Sequence, residues 1–349
     1  MEPIEFIPSY PELTTKEDKA SQEKAWSSLV AFLPNFIHLK EVVYACRNQV
    51  PAGLLRALHS HPRTPRLHVH GFSLRSLYQS RSNLRNIDDD EYLLISSQCL
   101  TSIRARDTTS GYDSRGHVSF NEEAIWRMVA RESPAIKAVS IWARLPGHSF
   151  DHYWALSPPK PQWPGFFREA PHSVDKLGAL EKLTLAGDGR FSPSAVRNWG
   201  KHTNFNALRS LQLHSRSASL AFLQALTVAV KSQSFASLQT LALAGYSFSR
   251  HEQGHFDSVI AQLLHSLRPL AHLHISGIFR NETLNAILSY GPTLRKLRLI
   301  PERGADLELK PYVLTRARIK RLVRACPEPY RSRTPYSAVS GRRRGGVDL

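Results

Sequence analysis

Leu180-Glu-Lys-Leu-Thr-Leu185 is the first of five stretches that share one spacing of apolar residues. The pattern Leu-x-x-Leu-x-Leu, with one isoleucine in the last place, returns at Leu208–Leu213, Leu238–Leu243, Leu270–Ile275 and Leu294–Leu299, at steps of 28, 30, 32 and 24 residues. Alternate side chains of a strand point to the same face, so the last two apolar residues of each stretch share a buried face. One such unit cannot bury that face alone, whereas stacked neighbours can.

The segments between these stretches have the spacing of helices. Apolar residues recur at three- and four-residue intervals from Phe256 to Leu267, and 217–231 is similarly rich in them. Asn281 is expected to cap a short helix that Gly291-Pro292 ends. Weaker versions of the leucine pattern occur upstream, beginning near Leu39, Leu67, Leu100 and Ile136.

This alternation predicts an α/β protein, and more specifically a leucine-rich-repeat solenoid (horseshoe) with strand–loop–helix units. Parallel strands would form its concave face. The alternative is an ordinary α/β domain in which the leucine spacing is a coincidence. Five repeats in succession favour the solenoid.

Three regions are expected along the chain. Residues 1–33 form an N-terminal flanking region with an amphipathic helix carrying Trp26, Leu29, Val30 and Phe32. Residues 34–312 form the solenoid, interrupted at 145–173 by a loop with six prolines and several aromatic residues. Residues 313–349 form a basic helix and a disordered tail.

The charge is strongly positive, with 46 Lys and Arg against 29 Asp and Glu and a net charge of +17. Ten of these cations and only two acids lie between Arg316 and Leu349. Such a tail attracts nucleic-acid phosphates or is simply solvated.

The three widely spaced cysteines predict an intracellular protein, cytoplasmic or nuclear. Neither a signal peptide nor a membrane span is recognisable, so no membrane partner is expected.

Partner contacts are expected at the positions between the strand leucines, on the face opposite to them. These positions are Thr184, Gln212, Ala242, His274 and Arg298. The aromatic loop adds Trp154 and Trp163. Its rings either bind a partner, as exposed aromatics do, or fold back against the flank of the solenoid.

No sequence motif for catalysis is present, so the chain is expected not to be an enzyme and to need no cofactor. Gly187-Asp-Gly189 lacks the remaining residues of a phosphate-binding loop. Four histidines cluster at His59, His61, His68 and His70, and the last two would share one face of a strand. No cysteine or carboxylate nearby in the sequence completes a zinc site, so no metal is predicted.

Five short motifs recur in a known group of proteins. They are Leu39-Lys-Glu-Val-Val-Tyr44, Cys46-Arg-Asn-Gln-Val-Pro51, Leu54-Leu-Arg-Ala-Leu-His59, Arg66-Leu-His-Val69 and Pro161-Gln-Trp-Pro-Gly-Phe166. From roughly Pro34 to Pro301, the chain resembles the repeat region of F-box-type leucine-rich-repeat proteins of filamentous fungi. The F-box itself is not recognisable before the first repeat-like unit.

This resemblance implies that the chain recognises substrates for a cullin-type ubiquitin ligase. In such proteins the F-box recruits the ligase adaptor and the repeats hold the target. We therefore expect a protein partner on the concave face, and an adaptor only if an F-box exists in a longer chain. The alternative is a basic repeat protein that associates with nucleic acid.

Overall fold

The computed structural model describes residues 16–46, 48–80, 87–108, 117–143, 160–163, 165–166, 177–187, 191–215, 220–233, 235–244, 253–277, 280–301, 315–325 and 347–348. The chain divides into two units, Met1–Ala179 and Leu180–Leu349. Both units are built on parallel strands followed by helices, so the predicted α/β class is confirmed.

The weak upstream repeats form the strands of the first unit. These strands are β1 (Glu41–Tyr44), β2 (Arg66–Phe72), β3 (Tyr78–Ser80), β4 (Leu100–Thr108), β5 (His117–Ser119) and β6 (Ala138–Ala143). Strands β1, β2, β4 and β6 pair in parallel in that order, while β3 and β5 form a separate antiparallel pair. Leu67 and Val69 of β2 are buried, as are Leu100 and Ile103 opposite them on β4.

One helix precedes β1, and the other described helices of the first unit follow strands. They are α1 (Lys16–Phe32), α2 (Ala52–Ser60), α3 (Asp89–Ile95) and α4 (Asn121–Arg127), with a π-helical turn at Met128–Glu132 and 3-10 turns at Leu33–Asn35 and Arg75–Leu77. Helix α2 begins directly after Pro51, and its residues Leu54, Leu55 and Leu58 are all buried.

Helix α1 differs from the amphipathic helix that the sequence predicts. Its Trp26 packs against Tyr44 with ring centroids 5.4 Å apart, but Leu29 and Phe32 are 43% and 55% exposed. At 100° per residue, Phe32 lies about 120° around the helix from Trp26, so the apolar residues do not form one narrow stripe. The predicted helix is therefore present, but Leu29 and Phe32 are not buried with Trp26.

The five leucine-pattern stretches form the strands of the second unit. These strands are β7 (Lys182–Gly187), β8 (Ser210–Ser215), β9 (Thr240–Ala244), β10 (His272–Gly277) and β11 (Lys296–Pro301). They pair in parallel in chain order. The first leucine of each stretch lies two residues before its strand and is buried, as expected for a residue in the turn that enters the strand.

The strand leucines of the second unit lie in register. The second leucines of the pattern form one row across the sheet: Leu183, Leu211, Leu241, Leu273 and Leu297. The third residues form the next row: Leu185, Leu213, Leu243, Ile275 and Leu299. All ten side chains are buried, because the period of two turns both rows to the same face of the sheet.

Helices connect these strands. They are α5 (Pro193–His202), α6 (Leu220–Gln233), α7 (Gln253–Ser266), α8 (Asn281–Ser289) and α9 (Arg316–Ala325), with a 3-10 turn at Phe205–Ala207. Helices α6 and α7 occupy the segments that the apolar spacing predicts. Phe205 and Phe235, each three residues before the first leucine of a pattern, stack with ring centroids 4.7 Å apart.

The cap of helix α8 is not the residue that the sequence predicts. Asn281 is the first residue of the helix, and Asp257 of α7 caps it instead. The carboxylate of Asp257 accepts hydrogen bonds from the backbone N–H groups of Arg280 (2.6 Å), Glu282 (2.9 Å) and Thr283 (3.1 Å). The preceding helix therefore satisfies donors that a local side chain usually satisfies.

The C-terminal tail contains one short strand that the sequence does not predict. Val347–Asp348, strand β12, pairs antiparallel with β11. The expectation of disorder was therefore wrong for these two residues, because the outer edge of β11 offers unpaired backbone groups to an extended segment. Residues 326–346 of the predicted tail lie outside the described residues.

Among the described residues, no helix is both long enough and apolar enough to cross a membrane.

Candidate functional site

The five positions predicted for partner contact form one row across the second unit. Thr184 lies opposite Gln212, Gln212 opposite Ala242, Ala242 opposite His274, and His274 opposite Arg298. Neighbouring parallel strands lie about 4.8 Å apart, so these residues are adjacent in space although tens of residues separate them in the chain. The strand register brings all five together.

Two further rows flank this central row on the same side of the sheet. One contains Lys182, Ser210, Thr240, His272 and Lys296, and the other contains Ala186, His214, Ala244, Ser276 and Ile300. We call these fifteen positions the polar face. No position on it carries an acidic residue, and its cations, Lys182, Lys296 and Arg298, lie on the first and last of the five strands.

Exposure on the polar face decreases along the strands. Lys182, His272 and Lys296 in the first row are exposed, whereas Ala186 and Ser276 in the third row are buried. The surface available to a partner is therefore greatest near the amino ends of the strands.

The central row is intermediate in exposure. Thr184, Gln212, His274 and Arg298 are half-buried, and Ala242 is only 6% exposed. Ala242 consequently offers the least contact surface of the predicted five.

Hydrogen bonds hold part of the polar face in place. Gln212 Nε2 donates to Ser210 Oγ at 3.4 Å, and Thr240 Oγ1 lies 3.2 Å from His272 Nδ1. Burial lowers the pKa of His214, so this imidazole is neutral at physiological pH. The three middle strands of the face thus carry neither lysine nor arginine nor carboxylate.

The two tryptophans of the aromatic loop differ in what the structure describes. Trp154 lies outside the described residues. Trp163 packs edge-to-face on Phe166, with ring centroids 4.8 Å apart, and Phe166 is only 3% exposed. This packing agrees with the alternative in which Trp163 folds back against the protein.

Neighbouring contacts hold the same part of the loop. Lys160 Nζ forms a 2.5 Å ion pair with Glu123 Oε1 and lies over the ring of Phe120. Burial, and secondarily the nearby Glu123, raises the pKa of Glu122 to about 7, while Lys160 opposes this shift. Helix α4 therefore presents one carboxyl group that titrates near neutrality.

The histidine cluster of the sequence separates into three places. His59 Nε2 lies 2.7 Å from Ser97 Oγ, and the buried His61 accepts a hydrogen bond from its local backbone. His68 and His70 share one face of β2, as predicted. Among the described residues, no group of three His, Cys, Asp or Glu side chains has the arrangement of a metal site.

Two arginines that the sequence did not single out lie beside His68 and His70. The register of β2 and β4 places Arg104 opposite His70, and Arg106 lies two residues further along β4. We call His68, His70, Arg104 and Arg106 the basic patch. The available signal was the weak repeat with Leu100, Ile103 and Ala105, because Arg104 and Arg106 flank Ala105 on the other side of the strand.

The chain matches no protein-family model, and no curated protein matches its sequence.

Proposed function

We propose that the chain is an interaction protein that binds a protein partner on the polar face of its second unit. The observation that carries this proposal is the strand register that places Thr184, Gln212, Ala242, His274 and Arg298 in one row. A row across five strands, polar at every position except Ala242, offers a broad surface for contact. Because the strand leucines occupy the opposite face, substitutions at Thr184, Gln212, His274 and Arg298 should leave the core intact, whereas Ala242 is itself buried.

The proposed architecture is a leucine-rich-repeat solenoid. Five successive strands in register, with a helix between each pair of strands, support it. Stacked units of this kind form elongated surfaces that suit protein recognition. The curvature of the sheet decides between a solenoid and an ordinary α/β domain, and small-angle X-ray scattering of the purified chain would measure it.

The role proposed for this interaction is substrate recognition for a cullin-type ubiquitin ligase. Its support is the resemblance of the motifs between Pro34 and Pro301 to fungal F-box-type repeat proteins. Adaptor recruitment requires an F-box, so the test is the transcript upstream of Met1. An in-frame F-box there supports the role, whereas a stop codon directly upstream of Met1 contradicts it.

Charge reversal on the polar face tests the binding proposal. Arg298→Glu is compared with Arg197→Glu, which makes the same change on an exposed residue of α5. Affinity capture with quantitative mass spectrometry identifies partners, and titration calorimetry with the purified partner measures affinity. We expect Arg298→Glu to weaken binding by about tenfold or more and Arg197→Glu to leave it unchanged.

The same comparison separates binding from folding. Both variants should melt at the wild-type temperature, because neither side chain belongs to the core. Partners retained at full affinity by Arg298→Glu, and also by His274→Ala, would exclude the polar face as their binding surface.

A second candidate function is nucleic-acid association through α9. Arg316, Lys320 and Arg324 are exposed and recur every four residues, so they lie along one side of the helix. The opposite side packs on α8: Leu322 is buried, and Arg318 donates to Asn281 Oδ1 at 2.9 Å. The exposed row of cations is thus held in a fixed direction.

Salt dependence tests this second function. Binding of the full chain to duplex and single-stranded probes should weaken steeply as salt increases, with a slope reduced by about two to three in Arg316→Gln/Lys320→Gln/Arg324→Gln. Arg56→Gln/Arg63→Gln/Lys201→Gln removes the same charge from other exposed positions and serves as the control. Undetectable or salt-insensitive binding would remove this candidate.

A further inference from the structure

The basic patch lies on the side of the first unit's sheet that faces away from the buried leucines. On β2, His68 and His70 alternate with the buried Leu67 and Val69, and Arg104 and Arg106 of β4 are exposed. His70 and Arg104 are cross-strand partners. Four basic side chains therefore occupy adjacent positions on two strands.

Arg104 and Arg106 concentrate positive charge at one place on this surface. Like charges at neighbouring positions repel each other. Burial, and then the charges of Arg104, His68 and Arg106, lowers the pKa of His70. Among the side chains that the structure describes, no carboxylate forms an ion pair with Arg104 or Arg106.

The carboxylate that contacts the patch, that of Glu41, is already engaged. Glu41 on the edge strand β1 forms an ion pair with Arg66, and its second oxygen lies 4.0 Å from His68 Nε2. His68 Nδ1 also lies 2.8 Å from Ser102 Oγ. Glu41 thus compensates the β1 side of the patch and leaves the guanidinium groups on β4.

Neutral side chains border the guanidinium groups. Ser140 and Trp142 of β6 lie opposite Arg104 and Arg106, respectively. On the β1 side, Val43 lies opposite His68 and is 57% exposed. The charged surface is therefore short: it is bordered by Ser140 and Trp142 on the β6 side, and by Val43 and the engaged Glu41 on the β1 side.

We propose that the basic patch binds an extended, acidic segment of a partner protein. Arg104 and Arg106 are two residues apart on one strand, so their positions are separated by about 6.7 Å. Alternate side chains of an extended peptide have the same separation. Two carboxylates at positions i and i+2 of the partner therefore match the two guanidinium groups, each of which accommodates a carboxylate bidentately. Apolar residues that flank the two carboxylates on the same side of the segment can contact Trp142, which lies opposite Arg106 on the neighbouring strand.

The borders of the patch favour a protein segment over a nucleic acid. Proteins that bind a nucleic-acid strand usually do so with a long basic groove, which runs along the backbone and neutralises many phosphates. Here the described surface supplies two exposed guanidinium groups between Val43 and Trp142, with the carboxylate of Glu41 on one side. A short run of carboxylates complements this charge distribution.

This surface belongs to the first unit, and the polar face belongs to the second. The two proposals involve different residues, so either one can fail while the other holds.

The test uses fluorescence anisotropy with the full chain and a fluorescein-labelled peptide of alternating glutamate and threonine. The same peptide with glutamine in place of glutamate controls for charge, and labelled oligodeoxythymidine tests the other class of polyanion. Arg104→Gln/Arg106→Gln is compared with Arg56→Gln/Arg63→Gln, which removes two exposed charges from α2 and the turn after it.

We expect the glutamate peptide to bind wild type at least about tenfold more tightly than the glutamine peptide does. Arg104→Gln/Arg106→Gln should abolish this preference, and Arg56→Gln/Arg63→Gln should preserve it. Equal affinity of the patch variant and wild type for the glutamate peptide overturns the proposal, as does the absence of measurable binding. Oligodeoxythymidine that binds more tightly than the peptide and depends on Arg104 and Arg106 also overturns it.

Discussion

The sheets of the two units have the same parallel pairing but different regularity. In the second unit, the strands β7 to β11 pair without a shift in register. In the first unit, the register shifts between Leu67 and His68, between His70 and Phe72, and between Arg106 and Thr108. The leucine pattern is strict in the unit with unbroken register, and it is weak in the unit whose sheet contains bulges, although β1 and β2 pair without a shift.

This difference shows that the strictness of a sequence repeat depends on the regularity of strand pairing. A bulge adds a residue to one strand and moves the following side chains relative to the neighbouring strand. The alternation of buried and exposed residues then no longer recurs at a constant spacing, although the strand still forms. Weak repeats therefore indicate irregular strands as well as absent ones, and the basic patch lies among such irregularities.

Substitution of a buried carboxylate is expected to cause the largest loss of stability. One such carboxylate in each unit tests whether both units depend on a side chain that accepts hydrogen bonds from backbone N–H groups. Asp257→Ala in the second unit removes the acceptor for three backbone N–H groups at the start of α8. We expect the free energy of unfolding to fall by about 3 kcal/mol, because buried donors are left unsatisfied. Urea unfolding measures the loss, and Gln262→Ala, at an exposed position of α7, is the control. Asp257→Asn should lose less, since it keeps one acceptor oxygen.

The corresponding carboxylate of the first unit is Glu91. It is fully buried and accepts hydrogen bonds from the backbone N–H of Arg75 (2.5 Å), the backbone N–H of Ser76 (3.3 Å) and the Ser76 hydroxyl. Glu91→Ala should also lower the free energy of unfolding by about 3 kcal/mol. Hydrogen exchange should show faster exchange at the 3-10 turn Arg75–Leu77 than in Glu17→Ala, a substitution at an exposed glutamate. Unchanged exchange there would contradict a structural role for Glu91.

Close backbone contacts at two glycines give the next largest effect. A Cβ at Gly178 would lie 2.2 Å from the carbonyl oxygen of Val129, and a Cβ at Gly291 would lie 2.1 Å from that of Ala325. We expect Gly178→Ala and Gly291→Ala each to cost about 2 kcal/mol, because backbone must move. Thermal unfolding measures both.

A third glycine provides the control for this pair. At Gly53 the nearest atom is the end of the Glu23 side chain, which can turn away, so Gly53→Ala should cost less. Gly291→Ala should in addition make α9 more susceptible to trypsin, since Gly291 contacts the end of that helix. Equal costs at all three glycines would argue against the backbone contacts as the cause.

Glu122 distinguishes the first unit by its response to pH. Its pKa in the folded protein is about 7, above the usual 4.5 of a glutamate, so the folded state holds a proton that the unfolded state has released. The free energy of unfolding should therefore fall by about 2 kcal/mol as the pH rises from about 4.5 to 7. Glu122→Gln should flatten this part of the profile, as measured by urea unfolding across pH, and Glu17→Gln should not.

Surface ion pairs give the smallest expected effects, and they should be equally small in both units. Lys19 Nζ lies 2.6 Å from Asp88 in the first unit, and Arg209 Nε lies 3.9 Å from Glu181 in the second. Lys19→Gln and Arg209→Gln should each change the free energy of unfolding by about 0.5 kcal/mol or less, and less at high salt. A larger loss in either variant would show that the pair belongs to a wider network.

Predictions from the sequence were most reliable for the repeated strands and helices, in which each unit packs against neighbours with the same spacing of apolar residues. The five strands of the second unit, and helices α6 and α7, follow from apolar spacing alone, because burial selects those positions directly. Sequence reasoning located helix α1 but did not predict that Leu29 and Phe32 are exposed. It failed at Val347–Asp348, where an edge strand pairs with a distant segment. It also missed Phe205 and Phe235, although both precede a leucine stretch by the same interval.

For the candidate surfaces too, some features could be predicted from the sequence and others could not. The alternation within each strand predicted that Thr184, Gln212, Ala242, His274 and Arg298 share a side of the sheet. The pairing of strands made them one row, and it also placed Arg104 beside His70. No local spacing within either strand carries that information.

What the sequence by itself determined was the set of buried leucines and the alternation of strands and helices, since both depend on which side chains leave water. Only the tertiary structure decided which exposed residues are neighbours and which helix caps the next, as Asp257 does for α8. The physical reason is that hydrophobic burial has a period along the chain. Cross-strand register and interhelical hydrogen bonds instead depend on how segments far apart in sequence align.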